Sequence, residues 1–227
     1  MAALQLPLVL ATRNVDKARE INEILVEHIA APIVAYAVDV GDDTVAFLLE
    51  RPDLVAAAVA ALPVITSAPD VEETGSTLEE NARIKAAALC AATGVTAIAD
   101  DTGLEVDALE GAPGVHAARY AGEHATYADN TAKLLREMEG VYPTLRTARF
   151  ATVAIACFSD GREVSVRGEV EGVIAAVPSG AGGFGYDPVF VPVEGDGRSF
   201  AQMTAGEKHA ISHRGRAFAA LAAALST

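Results

Sequence analysis

Basic residues are scarce in this chain: 17 Lys and Arg stand against 31 Asp and Glu, giving a net charge of −14 over 227 residues. Such a field repels the backbone of DNA or RNA and argues against a nucleic-acid polymer as partner. Cysteine is almost missing. Cys90 and Cys157 each lie in an apolar run, AALCAAT and VAIACFS. That setting excludes a disulfide framework and predicts buried, reduced thiols in a cytoplasmic protein. No apolar run reaches membrane-spanning length, and the opening MAALQLPLVLAT has neither a basic lead nor a small-residue cleavage pattern, so no membrane partner or targeting segment is expected. The phosphate-loop pattern G-x-x-x-x-G-K-[ST] and the nucleophile elbow G-x-S-x-G are also lacking. With neither cysteine in an electropositive setting, the remaining nucleophile is water activated by a metal and a carboxylate.

Hydrophobic residues make up 51% of the chain and charged ones 21%, which excludes a disordered protein and allows one domain or two closely joined lobes. Leu8 to Ala11 reads as a short buried strand, followed by a helix with Asn14 as N-cap and Ile21, Ile24 and Leu25 on one face. Thr77 and Glu80 form a capping-box pattern before a second helix that ends near Gly94. A third helix is expected from about Asp129 to Met138. Phe150 to Phe158 and Glu163 to Val173 read as a long hairpin around Ser159-Asp160-Gly161-Arg162. A short strand near Val189 to Val191 and a closing helix from Arg214 to Leu225 complete the pattern. The stretch 39–63, apolar and interrupted by Pro52 and Pro63, reads as two short helices with a packing or subunit-contact role.

The feature richest in chemistry is Ala99-Asp100-Asp101-Thr102-Gly103, two acids placed where the apolar run Val95 to Ala99 stops and a glycine turn is expected. Carboxylates at the mouth of a buried strand need water or a cation, and magnesium takes carboxylate, water and phosphate oxygens together. Alone, the pair also reads as a solvated turn. Against the acidic background, positive side chains next to loops mark where an anion could bind: Arg13 and Lys17, Arg83 and Lys85, and Lys208, Arg214 and Arg216. The segment Thr12-Arg13-Asn14-Val15-Asp16-Lys17 opens a helix, whose N-terminal N–H groups favour phosphate. Gly182-Gly183-Phe184-Gly185 runs on into Tyr186-Asp187 and not into a helix, so it is not a dinucleotide fingerprint. Its rings either meet a ligand or lie in the core. His209 and His213 have the spacing of a zinc pair but no third ligand nearby, whereas His213 and Arg214 are suitable donors for a purine carbonyl, and Lys208 for either the base or the phosphates.

Together, LATRNVDKAREINEIL, EETGSTLEENARIKA, AIADDTGLEVDALEGAPGVHAARYAGE, GGFGYDPVF and EKHAISHRG resemble the inosine triphosphate pyrophosphatase family. They occur in that family's order and leave only 39–63 without a counterpart. The resemblance implies a single α/β domain over 1–227, with an elongated mixed central sheet and flanking helices forming two lobes around a cleft, in a homodimer. It implies hydrolysis of ITP, dITP or XTP to the monophosphate and pyrophosphate with Mg2+ as cofactor. By analogy Thr12, Arg13, Asn14, Val15, Asp16, Lys17 and Lys85 would hold the triphosphate, and Glu73 and Asp101 the magnesium. Asp101 would be the base for water, assisted by Asp100. Thr102, Phe184, Gly185, Tyr186, Asp187, Lys208, His213 and Arg214 would complete substrate binding. Arg13 stands where the family commonly has glycine, Thr102 where it has serine, and Tyr186 where some members have tryptophan. The septum-inhibition pyrophosphatase group shares the general fold, but the Ser212-His213-Arg214 segment disfavours it. Retention of Glu73, Asp101, Lys17 and Lys85 disfavours a regulator without catalysis.

Overall fold

The computed structural model describes residues 8–28, 34–36, 39–40, 43–44 and 71–226. Its elements are β1 (Leu8–Leu10), α1 (Val15–His28), β2 (Val34–Tyr36), β3 (Asp39–Val40), β4 (Asp43–Thr44), α2 (Leu78–Thr93), β5 (Ala97–Val106), β6 (Pro113–Gly114), α3 (Tyr127–Glu137), β7 (Thr147–Cys157), β8 (Glu163–Ile174), β9 (Phe190–Pro192), α4 (Ala205–Ile211) and α5 (His213–Leu225). The sheet is mixed, as expected for this α/β pattern. Its hydrogen-bonded order is β2-β1-β5-β7-β8-β9, with β6 against β5. β1 pairs in parallel with β2 and β5, whereas β6 and β9 pair antiparallel with β5 and β8.

The chain divides into two compact units, and β5, β7 and β8 each contribute residues to both. The first comprises residues 1–101, 153–166 and 217–227. In α1 the spacing of Ala18, Ile21, Ile24 and Leu25 forms one apolar stripe, and Ala217, Phe218, Leu221 and Ala222 form another on α5. Both stripes close on Leu8, Leu10, Ile98, Ala154 and Ala156. Burial of each large side chain in this cluster is worth roughly 1.5–3 kcal/mol, which holds α1 against the strand that precedes it. The second unit comprises residues 102–152 and 167–216, with a core of Leu104, Val106, Leu134, Phe150, Val170, Phe190 and Phe200.

Local caps set the helix ends. Lys17 N donates to Asn14 Oδ1 at 3.1 Å, so Asn14 caps α1 as its sequence position predicts. Thr77 and Glu80 make the reciprocal capping box of α2, which ends on Gly94 in the left-handed region (φ 70°). α3 begins two residues before the expected Asp129, because Thr126 and Asp129 form a second capping box.

Four expectations need correction. The acidic pair does not end its strand: β5 continues through Asp100, Asp101, Thr102 and Gly103 to Val106. Lysine partners remove the need for a solvated turn, and Gly103 is accommodated within the strand. Cys90 is buried, but Cys157 is only half-buried, with its Sγ 3.9 Å from Glu163 Oε2. Both thiols are held in the protonated form, chiefly by burial, and Cys157 is pushed up to about 11. The last helix begins at His213, one residue before the expected Arg214, and the short α4, which was not expected, precedes it. Within 39–63, residues 39–40 and 43–44 form an antiparallel ribbon instead of helix; the remainder of the two expected helices lies outside the described residues.

Candidate active site

In the first unit, β5 carries Asp100 and Asp101 into a region walled by α1 and α2. Their side chains are almost wholly buried, at 1% and 6% exposure. Two carboxylates cannot be desolvated together without compensating charge. Lys17, on the first turn of α1, places Nζ 3.1 Å from Asp100 Oδ2. Lys85, in the middle of α2, places Nζ 3.3 Å from Asp101 Oδ1 and 2.8 Å from Glu73 Oε1. One ammonium thus joins Glu73 to Asp101, and the two carboxylates converge on a single positive centre.

Sequence reasoning missed Asn81, which lies fully buried one helical turn before Lys85. Its Nδ2 donates to Asp101 Oδ2 at 3.2 Å, and its Oδ1 accepts from Gly75 N at 2.8 Å. The i, i+4 spacing of Asn81 and Lys85 was the available signal, since it puts both on one helix face. Gly75 has to be glycine: a Cβ there would stand 2.6 Å from Asn81 Oδ1 and from Glu80 Cβ. Asn81 therefore fixes both the Asp101 carboxylate and the segment bearing Glu73.

Burial raises the pKa of Asp101, opposed by Lys85 and Lys17 and reinforced by Glu73 and Asp100, and the net direction is up. Burial alone would lower that of Lys85, but Asp101, Asp100 and Glu73 outweigh it and the ammonium is held charged. The phosphate-loop candidates are arranged around the same helix start. Asn14 N donates to Thr12 Oγ1 at 3.2 Å. Arg13 is exposed, Thr12, Asn14 and Asp16 are half-buried, and Val15 packs its side chain on the first core.

The donor set fits magnesium. Glu73 and Asp101 are hard oxygen ligands already gathered about one cation, and magnesium commonly takes one or two carboxylates plus water and phosphate. Among the described residues no group of three or more His, Cys, Asp or Glu is placed to hold a metal. A metal here would thus depend on substrate oxygens for part of its shell.

The second unit gathers the other candidates. Lys208 Nζ lies 2.7 Å from Asp187 Oδ2 in a buried ion pair, and the same oxygen accepts from Phe184 N at 2.9 Å. Gly183 (φ +64°) allows this turn, because a Cβ would come within 2.1 Å of Asp187 Oδ2. These bonds make Asp187 the anchor of the loop as well as the partner of Lys208. The two rings of the loop separate. Tyr186 is buried and its hydroxyl donates to Ala117 O at 2.8 Å, so it is a core residue. Phe184 is half-buried, with Lys208 Nζ 5.0 Å and Arg214 Cζ 5.4 Å from its ring centre. Tyr127, which sequence reasoning passed over, packs its ring 5.8 Å from that of Phe184. Gly185 O accepts from Thr131 Oγ1 at 3.3 Å.

His213 and Arg214 open α5, where Ser212 Oγ accepts from Gly215 N at 3.0 Å as the N-cap. The His213 ring stacks on Phe150 with centroids 4.5 Å apart and planes 12° apart. Arg214 Nη2 donates to Thr102 Oγ1 at 3.0 Å, and that hydroxyl lies 2.7 Å from Thr152 Oγ1.

The model of the Ham1 family matches residues 8–224. A dITP/XTP pyrophosphatase of Streptomyces coelicolor is 45% identical over 214 residues, covering 94% of each chain. One from Deinococcus deserti is 51% identical over 153 residues, covering 67% of this chain and 72% of that protein. Among solved structures, a HAM1 protein from Coxiella burnetii superposes with a TM-score of 0.76 at 36% identity, covering 98% of this chain and 99% of the other. The dITP/XTP pyrophosphatase of Mycobacterium abscessus gives 0.66 at 37% identity, with coverage of 95% and 97%. A match over nearly the whole chain, in sequence and in structure, establishes that this chain belongs to the Ham1 family.

Proposed function

We propose that the chain hydrolyses non-canonical purine nucleoside triphosphates (ITP, dITP and XTP) to the monophosphate and pyrophosphate, and so cleanses the nucleotide pool. The relatives named dITP/XTP pyrophosphatase support this reading. The observation that carries it is the convergence of Glu73 and Asp101 on one cationic centre beside the Asp100–Lys17 pair.

Glu73 and Asp101 would hold magnesium, which when bound neutralises phosphate oxygens and lowers the pKa of water. The chain's own groups do the rest. The N-terminal N–H groups of α1, with Thr12, Asn14 and Lys17, bind triphosphate oxygens, and Lys85 adds charge. Asp101 accepts the proton of the attacking water as it adds in line at the α-phosphorus. Asp100 keeps Lys17 in place. Pyrophosphate then leaves with its charge met by the lysines. In the second unit Phe184 offers a ring face to the purine, and Lys208, His213 and Arg214 offer donors to its 6-oxo group. An adenine amino group would set donor against donor, a mismatch worth several kcal/mol and roughly a thousandfold or more in selectivity.

The same reading gives a small-molecule nucleotide partner and a homodimeric, cytoplasmic protein. Among the described residues no helix is long and apolar enough to cross a membrane. The test is pyrophosphate release from ITP, dITP, XTP, GTP, ATP and dTTP with magnesium present or chelated. Turnover confined to the first three and dependent on magnesium is expected; equal turnover of ATP or dTTP would refute the assignment.

A further inference from the structure

The hydroxyl of Thr152 is fully buried on β7, in the apolar core of the second unit, and its side-chain hydrogen-bond partner is Thr102 Oγ1. A buried hydroxyl in such a place costs stability unless its proton is used. Arg214 can only donate, so Thr102 Oγ1 must accept from Nη2. That leaves two ways to place the proton between the threonines. If Thr102 donates to Thr152, the proton of Thr152 finds no acceptor within this pair. If Thr152 donates to Thr102, both buried protons are used, Thr102 accepts twice, and its own proton is directed away from Thr152 and Arg214. Only the second arrangement satisfies the chain.

We propose that Thr152 is a positioning residue for base selection: by donating to Thr102 it fixes that hydroxyl as the acceptor for Arg214 and so sets the orientation of the guanidinium. Thr152 touches neither phosphate nor purine in this account and acts through Thr102. The role in selection rests on the proposed use of Arg214 in reading the purine. With the Thr152 hydroxyl deleted, Thr102 loses the donor that orients its hydroxyl, and the acceptor for Arg214 is held less firmly. A looser guanidinium tolerates a 6-amino group better, because its donors can turn away.

The experiment compares wild type with Thr152→Val, which keeps shape and removes the hydroxyl, Thr152→Ala as a second deletion, and Thr152→Ser, which restores the hydroxyl. The kcat/KM ratio of ITP to ATP is measured, together with the side-chain 15N resonances of Arg214. Both deletions are expected to lower the ratio by on the order of tenfold. The change should fall mainly on KM, raised for ITP and lowered for ATP, with Arg214 signals shifted, and Thr152→Ser should restore both. A fall in melting temperature with an unchanged ratio and unshifted Arg214 signals would reduce Thr152 to a packing residue and overturn the proposal. If the wild type does not turn over ITP, the proposed function fails instead, and the Arg214 resonances still decide whether Thr152 orients the guanidinium.

Discussion

At the scale of single residues, the account turns on how a buried acid is kept in place. Asp101 is fixed by Lys85 on one oxygen and Asn81 on the other, and Asn81 also holds the backbone at Gly75. Replacing Asn81 with Leu removes the donor to Asp101 and leaves Gly75 N without its acceptor, so the segment carrying Glu73 loses its anchor. Turnover of ITP should fall by about ten- to a hundredfold, and the magnesium concentration for half-maximal activity should rise, with the circular dichroism spectrum unchanged. An unaltered magnesium dependence would contradict this role. The sequence made Asp100, Asp101, Lys17 and Lys85 visible, because acids and bases stand out beside apolar runs. It did not reveal their pairing, since Asp100 and Lys17 are far apart along the chain. That missing partner is also why Asp-Asp-Thr-Gly reads as a turn: propensity penalises two acids in a strand, and a tertiary ion pair reverses the penalty. Tyr186 went unresolved for a similar reason, as its burial depends on a carbonyl at Ala117.

At the scale of elements, caps decide where helices start, and buried donors decide how strands meet them. The buried guanidinium of Arg146 donates to Ile174 O at 2.7 Å, Met138 O at 2.8 Å and Ala175 O at 3.1 Å, tying the end of α3 to the end of β8. Arg146→Ala should cost about 3 kcal/mol, because it removes the guanidinium donors to Ile174 O and Ala175 O and leaves Met138 O with Val141 N. Urea denaturation checks the value, and a loss below about 0.5 kcal/mol, the range of ordinary surface changes, would show those carbonyls to be otherwise satisfied. The capping box of α4 supplies a pH test. Glu207 is held down to about 2 by Arg198 first and by Thr204 next. A carboxylate with a lowered folded pKa stabilises above its ordinary value of 4.5, and that contribution fades as pH falls toward 2. Because the pair is exposed, the effect is screened by salt. Melting temperature followed from pH 6 to pH 2 should drop less for Glu207→Gln than for wild type, and parallel curves would dismiss the contribution. The α1, α2 and hairpin boundaries were legible, because Asn14, Thr77 with Glu80, and Asp160-Gly161 are local signals. α4 was not, since its Thr204–Glu207 box lacks the long apolar periodicity that usually announces a helix.

For the whole molecule, five motifs in fixed order are enough to name the family, and the fold follows with it. The separation into two units is not legible in the same way, because β5, β7 and β8 pass from one to the other with no linker or change of composition. A net charge of −14 makes the lysine pair on Asp100 and Asp101 a local exception in an acidic chain, which fits a small anionic substrate better than a polymer. All of this depends on Asp101 serving as both ligand and base. The most direct measurement is single-turnover pyrophosphate release from dITP by Asp101→Asn, with magnesium saturating and the fold checked by circular dichroism. The account predicts a loss of about a thousandfold or more, in the upper range of acid–base catalysis with the metal site lost as well. Release within about threefold of wild type, close to measurement scatter on this scale, would contradict it.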